Sequence, residues 1–240
     1  MSYEFQDQAP MPLSESQVQT TFVAAMQRVY VWMALGLFLT AVTAVFTASS
    51  PFLLSIIFSS AITFYGLIIG EFILVIAIGR AVAKASATTG LVLFFIYAAV
   101  NGLTLSAIFF IYDLGAIWLA FGATAVCFGI MSVVGYTTKQ DLSHWGGILF
   151  MGLIGLIVAS VANMFFANST LDWIVTYGGI LIFLALTVYD TNRIKAMTKA
   201  AVFAGENDVV MRVGVVGALK LYLDFINLFL YLLRLLGRRR

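Results

Sequence analysis

Lys220, Asp224, Asn227, Tyr231 and Arg234 are spaced 4, 3, 4 and 3 residues apart in a run otherwise apolar enough to lie inside a membrane. At about 100° per residue they fall within roughly an 80° arc of one helix face. Lipid does not tolerate a stripe of Lys, Asp and Asn, so the helix must turn it toward protein or a wet cavity. A carboxylate at the bilayer centre costs about 2.5–3.5 kcal/mol even on the lenient insertion scale. Three acids carry that cost, Glu71, Asp190 and Asp224, each inside or at the edge of an apolar run. Two carboxyls meeting in a poorly solvated site share a proton rather than both ionise, which makes them a pH switch. Asp190 and Asp224 are the candidates. Two other arrangements stay open: Asp190 capping the turn that follows or pairing with Arg193, and Lys220 neutralising Asp224 four residues on. Glu71 either faces a cavity as an ion-attracting acid or is neutral and bonded to a neighbouring helix. Asn101 and Asn163 read as amides joining helices.

The elements that must position these groups are membrane helices. Of the 240 residues 62% are hydrophobic and 10% charged, and the mean hydropathy is +1.03; a soluble globule has about 25% charged residues. Apolar runs of spanning length fall at 29–49, 60–79, 89–111, 115–135, 146–167 and 171–190, with a more polar one at 213–233. The expected fold is therefore an all-α integral membrane protein with seven transmembrane helices, in a single domain over 26–240. Residues 1–25, with three acids before the first base at Arg28, read as a polar, mobile cytoplasmic tail and lack a signal peptide's basic start. Pro51 and the serines around it place 52–59 at the interface. A hydrophilic cytoplasmic loop is expected over 191–212. Gly152 and Gly155, Gly178 and Gly179, and Gly214 and Gly217 read as close-packing points.

Arg28, Arg80, Lys84, Lys139, Arg193, Lys195, Lys199 and Arg212 all fall in the tail or the even-numbered loops, and the other three loops hold no Lys or Arg. Cytoplasmic loops retain basic residues, so the N-terminus is expected in the cytoplasm. Four arginines after the last run, Arg234 and Arg238 to Arg240, oppose that assignment if the run crosses fully. Either the run crosses against them or it enters and returns.

Charges of 13 Lys+Arg against 11 Asp+Glu give no reason to expect nucleic acid. The single His144 and single Cys127 supply neither a His-Glu-x-x-His site nor a metal cluster. A Ser–His protease would need His144 within the fold, and it lies in a short loop beside Trp145. Two membrane aspartates are what an aspartyl protease uses, but neither sits in a Gly-x-Gly-Asp setting. No enzyme and no cofactor are expected.

Gly135-Tyr136-Thr137-Thr138-Lys139-Gln140-Asp141-Leu142-Ser143, Val188-Tyr189-Asp190-Thr191, Leu221-Tyr222-Leu223-Asp224-Phe225-Ile226-Asn227-Leu228-Phe229 and Gly102-Leu103-Thr104-Leu105-Ser106 resemble the Bax inhibitor-1 family, most closely its bacterial inner-membrane branch. The likeness covers roughly residues 20–240. It implies six helices around a central C-terminal seventh and a pH-sensitive Ca2+ leak. An aspartate pair from the sixth and seventh helices, here Asp190 and Asp224, would sense protons and hold Ca2+ weakly in transit. A basic residue of the second helix, here Arg80, would help hold the closed state. Glu71, Lys220 and Asn227 are the further residues expected along the pathway. The implied partners are the bilayer, Ca2+ and protons; the alternative is a non-conducting regulator bound to another membrane protein.

Overall fold

A computed structural model describes residues 15–237. Seven helices are long and apolar enough to cross a membrane: α1 Glu15–Ala48, α3 Ala61–Lys84, α4 Ala87–Leu105, α6 Leu114–Thr137, α7 Trp145–Phe166, α8 Ser169–Phe203 and α9 Asn207–Leu236. Two short helices, α2 Pro51–Phe58 and α5 Ile108–Ile111, lie between them, the second continuing α4 after a break at Ser106.

Local chemistry sets the breaks. Ser50 accepts the Leu53 N–H and Pro51 takes the first helical position, where its missing N–H costs nothing, so α2 starts there as a separate short helix. Ser86 caps α4 through the Thr89 N–H, and Asn168 caps α8 through the Thr170 and Leu171 N–H groups. Gly205, at φ +70°, makes the tight turn from α8 into α9 that a side chain would strain.

α9 is the buried helix. In its most apolar stretch 72% of the residues are buried, against 6–33% in the other six spans. It packs against α1, α3, α4, α6 and α8, while α7 stands outside α8. The core around it includes Phe94, Tyr97, Phe128, Val215, Tyr222 and Phe225, with Tyr222 edge-on to both Phe94 and Tyr97.

Two expectations are corrected here. Residues 15–25 are helical rather than tail; residues 1–14, and with them the expected mobility, lie outside the described residues. Residues 191–203 are helical rather than loop, and only 204–206 turn. The reason is a shared core. Val18 and Ala25 of α1, Ala201 and Val202 of α8 and Val210 of α9 bury one another, which gives these polar-looking segments an apolar seam. At about 1.5 Å per residue the 34 and 35 residues of α1 and α8 reach about 50 Å, well beyond a 30 Å hydrocarbon layer. A small three-helix cap therefore extends the bundle at this end, which also holds most of the bases and is called the basic end below.

The last helix runs the full length of the bundle. Arg234 near the end of α9 pairs with Asp172 in the first turn of α8, and Gly237 lies against Tyr112. Those contacts are at the opposite end of the bundle from the 204–206 turn. That course is the one expected of a helix that crosses rather than one that enters and returns, and Asp172 compensates the charge of Arg234.

Of the glycines expected at close contacts, Gly179 faces Tyr231, Gly214 faces Trp32 and Gly217 faces Ile194. Gly155 instead borders open space, and Gly152 and Gly178 meet only ordinary contacts.

Candidate functional site

α8 and α9 run antiparallel, joined by the short turn, and their shared face is where the acids lie. Thr187, Asp190, Thr191 and Ile194 of α8 are buried against it, and Asp224 of α9 is 4% exposed. Gly217 allows Ile194 to approach α9 at 3.1 Å from where a β-carbon would stand. Close packing of this kind brings polar groups of the two helices within reach.

Lys220 Nζ donates to Asp190 Oδ1 at 2.8 Å. Lys220 thus crosses to the neighbouring helix instead of pairing with Asp224 along its own. Asp224 sits one turn further along, and Asp190 and Lys220 are the charged groups that act on it. Its Oδ2 is fully buried and has no hydrogen-bond partner among the described residues. Thr191 Oγ1, next to Asp190, is also buried without one, while the Thr187 hydroxyl donates back to the Phe183 carbonyl. The site therefore contains two carboxyls and one ammonium on the shared face of α8 and α9, with both aspartates buried and the Lys220 side chain 39% exposed.

Other predicted residues fall elsewhere. Arg193 donates to the Tyr189 hydroxyl at 3.0 Å rather than to Asp190. Asn227 donates to the Leu223 carbonyl of its own helix at 2.8 Å and makes no hydrogen bond to either acid. Arg80 is exposed and makes no hydrogen bond or ion pair with either aspartate. The cation on the acids comes from α9 itself, as Lys220, because α3 contributes only Ile78 and Val82 to the buried core and Arg80 points away from it.

Glu71 belongs to a second polar cluster. Asn101 Nδ2 donates to its Oε2 at 3.1 Å and the Thr104 hydroxyl to its Oε1 at 2.6 Å. The Tyr222 hydroxyl then donates to Asn101 Oδ1 at 3.0 Å and lies 2.7 Å from Thr40 Oγ1. One chain of bonds thus ties α3, α4, α9 and α1 together. Asn163 donates to Asp172 Oδ1 at 3.2 Å and so joins the end of α7 to the start of α8.

Among the described residues no group of three His, Cys, Asp or Glu side chains gathers in one place.

The motif at 135–143 has a positional role. Gly135 lies where a β-carbon would stand 2.5 Å from the Val188 carbonyl oxygen, so α6 meets α8 two residues before Asp190. Asn192 donates to the Gly135 carbonyl at 3.3 Å, and Lys195 to the carbonyls of Tyr136 and Thr138 at 2.7 and 2.9 Å. Beyond them the Ser143 hydroxyl and N–H both donate to Asp141, which holds that exposed carboxyl below the ordinary carboxylate range. The sequence of the family described as "Inhibitor of apoptosis-promoting Bax1" matches residues 23–240, the stretch that contains all of these contacts.

The chain belongs to the Bax inhibitor-1 family.

Relatives agree along nearly the whole length. "Inner membrane protein YbhL" of Escherichia coli K12 is 43% identical over 231 residues, 95% of this chain and 98% of that protein. A Borreliella burgdorferi protein called "Uncharacterized protein" is 45% identical over 94% of this chain and 95% of its own. A Streptococcus pyogenes serotype M3 protein called "Uncharacterized membrane protein SpyM3_0260" is 38% identical over 78% of this chain and 79% of its own. Placed on this member of the Bax inhibitor-1 family, the family-like motifs divide the work. Those around Tyr189 and Asp224 supply the charged groups, while Gly135 to Thr138 fix the helix that stands beside them.

Asp172 was not singled out from sequence, and the partners of Tyr222, Arg234 and Arg212 were not foreseen. The bonding of Tyr222 was hidden because one tyrosine in an apolar helix looks like core; its signal is its position two residues before Asp224 on the other face. Asp172 and Arg234 stand at the start and end of consecutive antiparallel helices, a spacing that brings opposite charges level. Arg212 donates to the Asp208 carboxylate at 2.7 Å and to the Val82 and Ala83 carbonyls at the end of α3, a contact no local pattern announces.

Proposed function

We propose that this inner-membrane protein is a pH-sensitive cation leak, conducting Ca2+, whose gate is the Asp190–Asp224 pair. The observation that carries the reading is the orphaned, fully buried Oδ2 of Asp224 beside the Asp190–Lys220 ion pair. Lys220 balances one carboxylate, and a second ionised carboxylate there leaves one negative charge uncompensated. The pair is thus a place where proton, Ca2+ and Lys220 compete for the same oxygens.

In the closed form Lys220 latches α9 to α8 through Asp190, a charge-assisted bond of the kind that gains strength where water is scarce. Protonating the pair takes away the acceptor and releases the latch, so a lower pH shifts the population toward an open form. Lys220 takes the role that the family resemblance gave to a base of the second helix. The basic end of the bundle faces the cytoplasm in this reading, so the gate lies toward the cytoplasmic half and Glu71 stands apart from it as a tie between helices.

The test is Ca2+ entry into dye-loaded liposomes containing only this protein, at about pH 6 and pH 8. Faster entry at pH 6, with the pH dependence lost in Asp190→Asn and Asp224→Asn, is the expected result. Entry no faster than in empty liposomes at either pH overturns the leak. It would favour a non-conducting regulator that binds another membrane protein.

A further inference from the structure

α3 is the least buried span, with 6% of its apolar stretch inside the protein. Its outer face is a continuous stripe. Ile62, Ile69, Ile73 and Ile76 are 85, 59, 60 and 53% exposed, and with Arg80 and Lys84 they lie within roughly an 80° arc at 100° per residue. Arg80 and Lys84, four residues apart at the basic end, are both exposed, and neither has a hydrogen bond or ion pair among the described residues.

Most other bases of that end are engaged; Arg28 and Lys139 are, like these two, exposed with no hydrogen bond or ion pair among the described residues, but neither stands on this stripe. Arg193 bonds to Tyr189, Lys195 to the end of α6, and Lys199 lies over the Phe203 ring. Arg212 already covers the last carbonyls of α3 and is balanced by Asp208. Among the described residues no carboxylate pairs with Arg80 or Lys84. They stand one turn apart at the end of the exposed isoleucine stripe, where the apolar stretch of α3 runs out and a spanning helix would meet the headgroups.

We infer that Arg80 and Lys84 form a binding site for the headgroup phosphate of an anionic phospholipid, whose acyl chain lies along Ile73 and Ile76. The two cations supply charge and a planar fork for phosphate oxygens, and the isoleucines supply the apolar track. Charge selects an anionic over a zwitterionic lipid, since a basic residue at the surface favours the anionic headgroup roughly fivefold. The bound lipid holds the outer face of α3, a helix that the protein itself grips mainly through α4, Glu71 and Arg212.

The experiment is native mass spectrometry of the full chain released from mixed micelles of phosphatidylglycerol and phosphatidylcholine. Phosphatidylglycerol should be retained over phosphatidylcholine, and the preference should fall roughly fivefold for Arg80→Gln or Lys84→Gln and further in the double variant. Lys139→Gln, which removes an exposed base elsewhere at the same end, should keep it. Thermal unfolding in phosphatidylcholine alone, equal for wild type and double variant, shows that a loss is not misfolding. Adding inorganic phosphate should leave the lipid in place; displacement by it means a small-anion site and overturns the assignment. Undiminished selectivity in the double variant, or equal loss in Lys139→Gln, also overturns it. None of these readouts involves Ca2+ flux.

Discussion

Lys220 reaches across to Asp190, 2.8 Å away on α8, and leaves Asp224, four residues along its own helix, without that bond. The geometry predicts an asymmetric double-mutant cycle. Lys220→Met and Asp190→Asn should be coupled by about 1–2 kcal/mol in detergent unfolding, as a charged hydrogen bond with one half-exposed partner would be. The coupling of Lys220→Met to Asp224→Asn should be smaller. The reverse order would mean that Lys220 serves its own helix.

The two aspartates should also differ singly. Asp190→Asn removes the carboxylate that the half-exposed Lys220 ammonium bonds to and is expected to cost about 1–2 kcal/mol. Asp224→Asn replaces a carboxyl that has one orphaned oxygen and should cost clearly less. Unfolding midpoints of the two variants, compared in one detergent, decide the point; equal losses would contradict it.

Tyr222 is fully buried and its hydroxyl connects Thr40 of α1 with Asn101 of α4. Tyr222→Phe keeps the ring contacts with Phe94 and Tyr97 and removes only the oxygen, leaving Asn101 Oδ1 short of a donor. A loss of about 1–3 kcal/mol is expected. An unchanged midpoint would show that the hydroxyl link contributes nothing.

Gly135 and Gly129 lie on the same helix with opposite surroundings. A β-carbon at Gly135 would stand 2.5 Å from the backbone oxygen of Val188, whereas one at Gly129 meets nothing within 4 Å. Gly135→Ala should therefore cost about 1–3 kcal/mol by forcing α6 off α8. Gly129→Ala should be neutral or slightly stabilising, because alanine suits a helix better than glycine. Folded yield and unfolding midpoint are the readouts, and a harmless Gly135→Ala would refute the close approach.

The 204–206 turn and the end of α9 lie at opposite ends of the bundle. In a Cys127→Ser background, a membrane-impermeant maleimide should label Glu206→Cys and Leu236→Cys from opposite sides of sealed vesicles. Labelling of both from one side would restore the re-entrant alternative for α9.

Much of this protein is determined by its sequence alone. Apolar runs of spanning length can only be membrane helices, because backbone groups in lipid must bond within their own segment. The polar stripe through Lys220 and Asp224 likewise required the last helix to face protein. Pro51 and its serines marked the separate short helix, since capping and a fixed φ act within a few residues. Tertiary structure decided what depends on which helices meet. The polar stretches 15–25 and 191–203 became helix because they bury one another's few apolar residues, a gain invisible to either segment alone. Lys220 bonds to Asp190 rather than Asp224, and Arg80 ended up exposed and bonded to neither, because a side chain of the right charge bonds whichever partner the packing brings to it. Spacing along one helix lists the candidates, but the angle and depth at which two helices pack select among them.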